Sequence, residues 1–293
     1  MFALMTNKQI YRQYLHQLEQ IYSSLEAMTI TDWIFDTVAG VKRSDLIKNP
    51  DQLVESKIIL QLNGCLTDLM QHKPIQYILG EAWFFKMKFK VNNQVLIPRP
   101  ETEELVQLVI DDCNNKKYIL GSGEILSILD IGTGSGCIAI ALKNNLTNSM
   151  VHAIDVSDGA LEIAKENALN QKAEINFMEI DFLNEKTWEQ LPNIDIIVSN
   201  PPYIPLEEKK ILDKNVTQYE PHQALFVRDR SPFIFYEKIA AFGKKHLLAN
   251  GKIFVEFHED FAKQTAAIFE VDYQVEIKKD IFGKDRMLII NKK

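Results

Sequence analysis

Ile125-Leu126-Ser127-Ile128-Leu129-Asp130-Ile131-Gly132-Thr133-Gly134-Ser135-Gly136 is the stretch whose reading decides the fold. Ile125 to Ile131 is a short, nearly continuous apolar run, the pattern of a strand buried on both faces. Three glycines then alternate with Thr133 and Ser135, and a helical pattern from Gly134 to Leu142 follows. Glycines at a strand-to-helix junction let the backbone approach a ligand closely, and the helix start offers free N–H groups. Both features serve a nucleotide-like cofactor. The spacing is Gly-x-Gly-x-Gly, however, and not the Gly-x-Gly-x-x-Gly of dinucleotide enzymes.

Strand and helix patterns alternate downstream of this junction. Met150 to Asp155 reads as a strand, Ser157 to Leu169 as a helix and Ile175 to Ile180 as a strand. The β-branched run Ile196-Ile197-Val198 is a fourth strand, followed by a long polar loop. A helix near 232–248, a strand over 252–257, a helix near 260–269 and a closing antiparallel pair, 273–279 with 287–291, complete the pattern. Such alternation implies an α/β fold with a doubly wound, mostly parallel, Rossmann-like sheet. Ligands of these sheets bind at the carboxyl ends of the strands, and three consecutive ends carry suitable residues. After the glycines, Asp155 ends the second strand, where a carboxylate can accept both hydroxyls of a ribose; Ser157 already suits the cap of the next helix. Asp181 and Phe182 end the third, where they can meet the edge and face of an adenine.

Asn200-Pro201-Pro202-Tyr203 ends the fourth strand. The prolines have fixed φ and no N–H, so the chain cannot pair onward and its carbonyls stay available as acceptors. The Asn200 oxygen and a proline-segment carbonyl can accept both hydrogens of an NH2 group, with Tyr203 as an aromatic wall. This cradle suits alkylation of an amide or an exocyclic amine. His222 and His258 are the nearest candidate bases, and a lone histidine is more often structural.

The first ~75 residues read as a small helical bundle from their apolar spacing. Residues 6 to 27 carry one helical pattern, Thr31 caps a short helix ended by Gly40, and Asp51 opens a longer one that closes before Pro74. From Glu81 the period becomes two: Phe85, Met87, Phe89 and Val91 alternate with Lys86, Lys88 and Lys90. Asn92-Asn93 is the expected turn and Gln94 to Ile97 the return strand. The lysines form the solvated face of that hairpin, and Glu101 to Asp112 is the next helix. The expected organisation is a helical bundle over 1–75 that binds a macromolecular partner, a linking β-hairpin over 76–100 and an α/β domain over 101–293.

Composition sets limits on function. The net charge of −7 disfavours a nucleic-acid partner, which would call for a lysine and arginine surplus. No apolar run reaches the ~18 residues of a membrane helix, and residues 1–5 are too short for a secretory h-region. Three widely spaced cysteines, Cys65, Cys113 and Cys137, fit free thiols in a reducing compartment. A cytoplasmic monomer without a membrane or metal partner is therefore expected.

Taken together, these residues resemble the S-adenosylmethionine-dependent methyltransferases, and among them the release-factor glutamine-N5 methyltransferases. The resemblance spans Pro74 to Gly80, Leu96 to Glu103, Asp130 to Gly136, Asn200 to Tyr203, Glu220-Pro221 with Ala224-Leu225, and Asp280 with Gly283 and Arg286. It implies S-adenosyl-L-methionine as cofactor, with its methionine part at Gly132, Thr133, Gly134, Ser135 and Gly136, its ribose at Asp155 and its adenine at Phe182. Asp130, Asp181 and Asn200 complete the implied cofactor set. Asn200, Pro201, Pro202 and Tyr203 would hold the glutamine of the Gly-Gly-Gln loop of class I peptide chain release factors. Arg99, Glu101, Glu220 and Arg286 would orient loops or form ordinary surface pairs. Asn-Pro-Pro-Tyr is shared with adenine-N6 methyltransferases of DNA and RNA, the alternative reading. One departure is His258 in Glu256-Phe257-His258, where members commonly have glycine.

Overall fold

Local capping and burial account for most of the elements in the computed structural model, which describes residues 5–115, 125–227 and 231–292. The chain divides into Met1–Gly80 with Asp213–Tyr219, and Glu81–Leu212 with Glu220–Lys293. The first unit contains helices α1 (Asn7–Leu18), α2 (Ser24–Ile34), α3 (Arg43–Lys48), α4 (Ser56–Met70) and α5 (Ile75–Leu79). Their inward stripes, including Tyr14, Leu18, Ile34, Phe35, Leu62 and Leu69, form one apolar core.

Three expectations in this unit are corrected. The pattern over 6 to 27 is two helices, because Ser23 adopts extended backbone and accepts the N–H of Glu26, capping a new start. Thr31 caps nothing; it lies buried inside α2 and its hydroxyl donates to Ala27 O at 2.7 Å. Asp51 opens no helix, since residues 52–54 run extended, with Asn7 N–H donating to Gln52 O and Val54 N–H to Met5 O. Gly40 does end the second helical stretch, at φ 64°.

The second unit begins with β1 (Glu81–Phe84) and β2 (Met87–Lys90), then α6 (Pro100–Asn115), β3 (Leu126–Ile131), α7 (Cys137–Asn145), β4 (Ser149–Asp155), α8 (Asp158–Gln171), β5 (Ile175–Glu179) and β6 (Ile194–Ser199). After a loop of short elements come α9 (Ile234–His246), β7 (Leu247–Glu256), α10 (Ala262–Glu270), β8 (Tyr273–Lys279) and β9 (Asp285–Lys292). The seven-stranded sheet has the order β8-β9-β7-β6-β3-β4-β5. Strands β3 to β7 are parallel, and β9 is antiparallel to both neighbours. From β3 the chain winds outward through β4 and β5, then returns to β6 on the other side of β3. The switch point lies between β3 and β6, where open α/β sheets bind ligands. Both faces of the sheet are covered: Ile196 and Val198 join one core cluster and Ile197 the other, which explains the unbroken apolar run.

The hairpin differs from its expected register. β1 pairs with β2 through a turn at Phe85 and Lys86, both left-handed at φ 49° and 61°, and residues 92–97 form no strand. A primed turn without glycine or asparagine carries no sequence signal. Asn92 instead accepts the N–H of Gln94 in a local turn that imitates one. Alternation is kept along β2, with Phe89 buried and Lys88 and Lys90 paired to Glu81 and Glu166. The hairpin also clusters with the second unit, and α8 is its anchor. Asn167, 1% exposed, accepts from Lys90 N–H at 2.7 Å and donates to Lys90 O and Ser135 O, each at 2.9 Å. No described helix is long and apolar enough to cross a membrane.

Asn167→Ala removes three buried hydrogen bonds and is expected to lower the unfolding free energy by about 2–4 kcal/mol in a urea titration. A loss under about 1 kcal/mol would mean that water replaces the side chain.

Candidate active site

The glycine turn follows β3 directly. Gly132, Gly134 and Gly136 have φ 74°, 54° and 80°, so α7 begins at Cys137 rather than at Gly134 as the sequence pattern suggested. A Cβ on Gly132 or Gly134 would meet nothing within 4 Å, whereas one on Gly136 would lie 3.1 Å from Ala164 Cβ and Ile140 Cδ1. The first two glycines therefore face open space and the third lets α7 pack on α8. Several N–H groups expected to be free are already used: Gly132 and Thr133 donate to Ile154 O, and Gly136 to Thr133 O.

Two carboxylates organise this turn. Asp130 is fully buried and accepts from the Thr133 hydroxyl at 2.7 Å and Ala139 N–H at 3.2 Å, while its Oδ1 has no partner. Burial pushes its pKa up to about 7. Asp155 accepts from Gly134 N–H at 2.9 Å and Ser157 N–H at 3.0 Å, and burial raises its pKa as well. Ser157 caps α8 as expected. Ser135 is buried beside Asn167, which holds its carbonyl.

Asp181 is exposed, with Oδ1 accepting Leu183 N–H. Phe182 departs from the expected open aromatic face. The residue is only 5% exposed and its ring packs at 5.6 Å on Trp188 and 5.5 Å on Phe242. The 3-10 segment Glu185–Gln190 tucks Trp188 underneath, where its Nε1 donates to Phe182 O. The ring is thus a core group.

At the end of β6, Ser199 Oγ donates to Ile131 O at 2.7 Å, which holds the strand ends together. Asn200 follows, with Nδ2 donating to Thr102 Oγ1 at 2.9 Å. Thr102 donates to Glu256 Oε2 at 2.7 Å, and the Tyr203 hydroxyl donates to Glu256 Oε1 at 3.1 Å. Glu256 is 1% exposed, and burial holds its pKa above the ordinary carboxylate range. Tyr203, also raised by burial, stays a neutral phenol. Nδ2 of Asn200 is turned inward, so Oδ1 is left as the acceptor for a ligand.

Thr102 and Glu256 are the site residues that sequence reasoning missed. Both lie in stretches it had quoted, Thr102 after Pro98-Arg99-Pro100 and Glu256 before His258, but nothing local links them to Asn200. Arg99 pairs with the buried Glu220 at 2.6 Å, and Glu220 also accepts Ile97 N–H, so this is a loop tie rather than a surface pair. Arg286 pairs with Asp280 and Glu259, and Asp280 closes the turn at 280–284 by accepting from Phe282 and Lys284. His258 sits 3.4 Å from Glu208, its ring 6.0 Å from Tyr203; His222 stacks edge-on against Phe226. Among the described residues no cluster of His, Cys, Asp or Glu could hold a metal ion.

The site fits a cofactor with a nucleoside part: an open glycine turn, an orphaned buried carboxylate oxygen at Asp130 and a second carboxylate on the next strand meet at the switch point. Comparison with known proteins agrees. A family model described as "Methyltransferase small domain" matches residues 120–219, and one described as "PrmC N-terminal domain" matches residues 9–80. The release factor glutamine methyltransferase of Flavobacterium psychrophilum is 44% identical over 95% of this chain and 96% of its own length. That of Bacteroides thetaiotaomicron is 37% identical over 95% and 98%. The solved structure of a release-factor-specific protein-(glutamine-N5) methyltransferase from Alicyclobacillus acidocaldarius, at 26% identity, covers 70% of this chain and 99% of its own with a TM-score of 0.42. Membership rests on the sequence relatives, which match almost end to end: the chain belongs to the release factor glutamine methyltransferase family.

Proposed function

We propose that this protein transfers a methyl group from S-adenosyl-L-methionine to the side-chain amide nitrogen of the glutamine in the Gly-Gly-Gln loop of class I peptide chain release factors. The observation that carries the reading is the hydrogen bond of Asn200, whose nitrogen donates to Thr102 and so leaves its oxygen to accept, in register beside the glycine turn. An acceptor there suits a group that brings two hydrogens.

The cofactor, when bound, supplies an electrophilic methyl on a sulfonium. Gly132 to Gly136 would hold its methionine part, Asp155 its ribose hydroxyls, and Asp181 with Phe182 its adenine. Asn200 Oδ1 and the Pro201 or Pro202 carbonyl accept the two amide hydrogens, which localises electron density on a nitrogen whose lone pair is otherwise delocalised. Tyr203 walls the amide plane. Orientation of this kind can contribute roughly 7 to 11 kcal/mol to the rate. No general base is needed before attack, because the alkylated amide nitrogen is strongly acidic and releases its proton readily. His258, paired with Glu208, is kept for structure.

The helical unit holds none of these groups, and we assign it to gripping the release factor. Gln13, Gln17, Asn63 and Thr67 line a groove between α1 and α4 whose amides suit a peptide backbone.

The decisive experiment incubates the protein with S-adenosyl-L-methionine and a class I release factor, then weighs the peptide carrying the Gly-Gly-Gln loop. A gain of one methyl on that glutamine is expected; transfer to DNA or rRNA instead would replace this reading by the adenine-N6 one. Asn200→Ala is expected to cut the rate at least about 100-fold with cofactor affinity retained in calorimetry. Asp155→Ala should weaken cofactor binding about 10- to 100-fold through two lost hydrogen bonds. Gln13→Ala with Gln17→Ala should raise KM for the intact release factor and leave KM for an excised Gly-Gly-Gln peptide unchanged.

A further inference from the structure

The groups behind Asn200 carry an inference that rests on the reading above, that a nitrogen bearing two hydrogens docks there. A side-chain amide can present either its oxygen or its NH2, and the two differ little in shape. Something must choose between them. Asn200 Nδ2 donates to Thr102 Oγ1, and Thr102 donates to Glu256 Oε2. The other carboxylate oxygen takes the Tyr203 hydroxyl, and the Tyr236 hydroxyl donates to the Glu256 carbonyl. An ionised carboxylate only accepts, so it draws the Thr102 hydrogen to itself and turns the hydroxyl lone pair toward Asn200. Thr102 and Glu256 are both buried, so water does not compete.

We propose that Glu256 and Thr102 are positioning residues that set the polarity of the Asn200 amide, so that the site presents an acceptor and selects a substrate nitrogen carrying two hydrogens. The singly methylated product has one N–H left, and one of the two acceptors then goes unpaired. The same polarity therefore favours stopping at one methyl.

Protonation of Glu256 reverses the chain: the acid becomes a donor, Thr102 turns to donate to Asn200 and the amide flips. The groups facing Glu256 are Thr102 and Glu101 from α6, Tyr203 from the segment after β6, Tyr236 from α9 and Arg286 from β9. Burial raises the Glu256 pKa and Glu101 adds to it; the two hydroxyls and Arg286 oppose them, and burial prevails. A group raised in this way is fully ionised only above that raised value. Loss of transfer on acidification therefore begins at a higher pH than an ordinary carboxylate would produce.

The test uses the full chain with asparagine labelled in 15N and an intact release factor as methyl acceptor. The Asn200 side-chain resonance is assigned by its loss in Asn200→Ala. It should titrate with pH in the wild type and not in Glu256→Gln, and should move on Thr102→Val. Thr102→Val, nearly isosteric, is expected to lower kcat about 100-fold with KM for the release factor unchanged, while Thr102→Ser restores kcat. Glu256→Gln should abolish the acid limb of the rate profile together with most of kcat. An Asn200 resonance unmoved by Thr102→Val, or full kcat in that variant, overturns the proposal. A wild-type protein that leaves the release factor unmethylated overturns the substrate reading instead, and the resonance still decides the amide orientation.

Discussion

The parallel pairing of β3 with β6 is the constraint on which the site depends. Its register sets Ile131 opposite Ser199, and the Ser199 hydroxyl bonds across to the Ile131 carbonyl. One residue further along each chain stand Gly132 and Asn200. A turn open to a cofactor and an amide acceptor thus meet at one switch point although they lie far apart in sequence. The strands hold this register because both faces are buried, and a slip by one residue would send Ile196 and Val198 to the wrong core.

Two buried carboxylates sit on either side of that point. Removing a carboxylate from water is costly unless hydrogen bonds replace the lost solvation. Asp130 receives a hydroxyl and an N–H, and Glu256 receives two hydroxyls near Arg286, yet both keep raised pKa values. Compensation is therefore incomplete. Elsewhere the buried Glu220 meets a cation directly, Arg99 at 2.6 Å, and serves to tie loops. Strongly desolvated acids in a cleft are a mark of functional sites, and here each orders the groups that a ligand would meet.

Legibility followed the range of the interactions. The strands β3, β4 and β6, the Ser157 cap and the Gly40 stop were readable because each depends on a few neighbouring residues. The split between α1 and α2 was also local, but the cap at Ser23 was hidden under an apolar spacing that runs through it. The hairpin register failed because Phe85 and Lys86 take left-handed backbone that their side chains do not advertise, and Asn92 offered a false turn. Phe182 was placed at the right strand end, but only packing could reveal that Trp188 and Phe242 draw its ring into the core.

By itself the sequence determined the α/β winding, the glycine turn after β3 and the Asn200 to Tyr203 turn, since periodicity, glycine conformation and proline stereochemistry act over a few residues. The tertiary structure alone decided which way the Asn200 amide points. That choice rests on Thr102, 98 residues from Asn200, on Glu256, 154 residues from Thr102, and on burial that makes their hydrogen bonds obligatory. Hydrogen bonds between distant segments leave no periodic trace, so only the folded chain can show them.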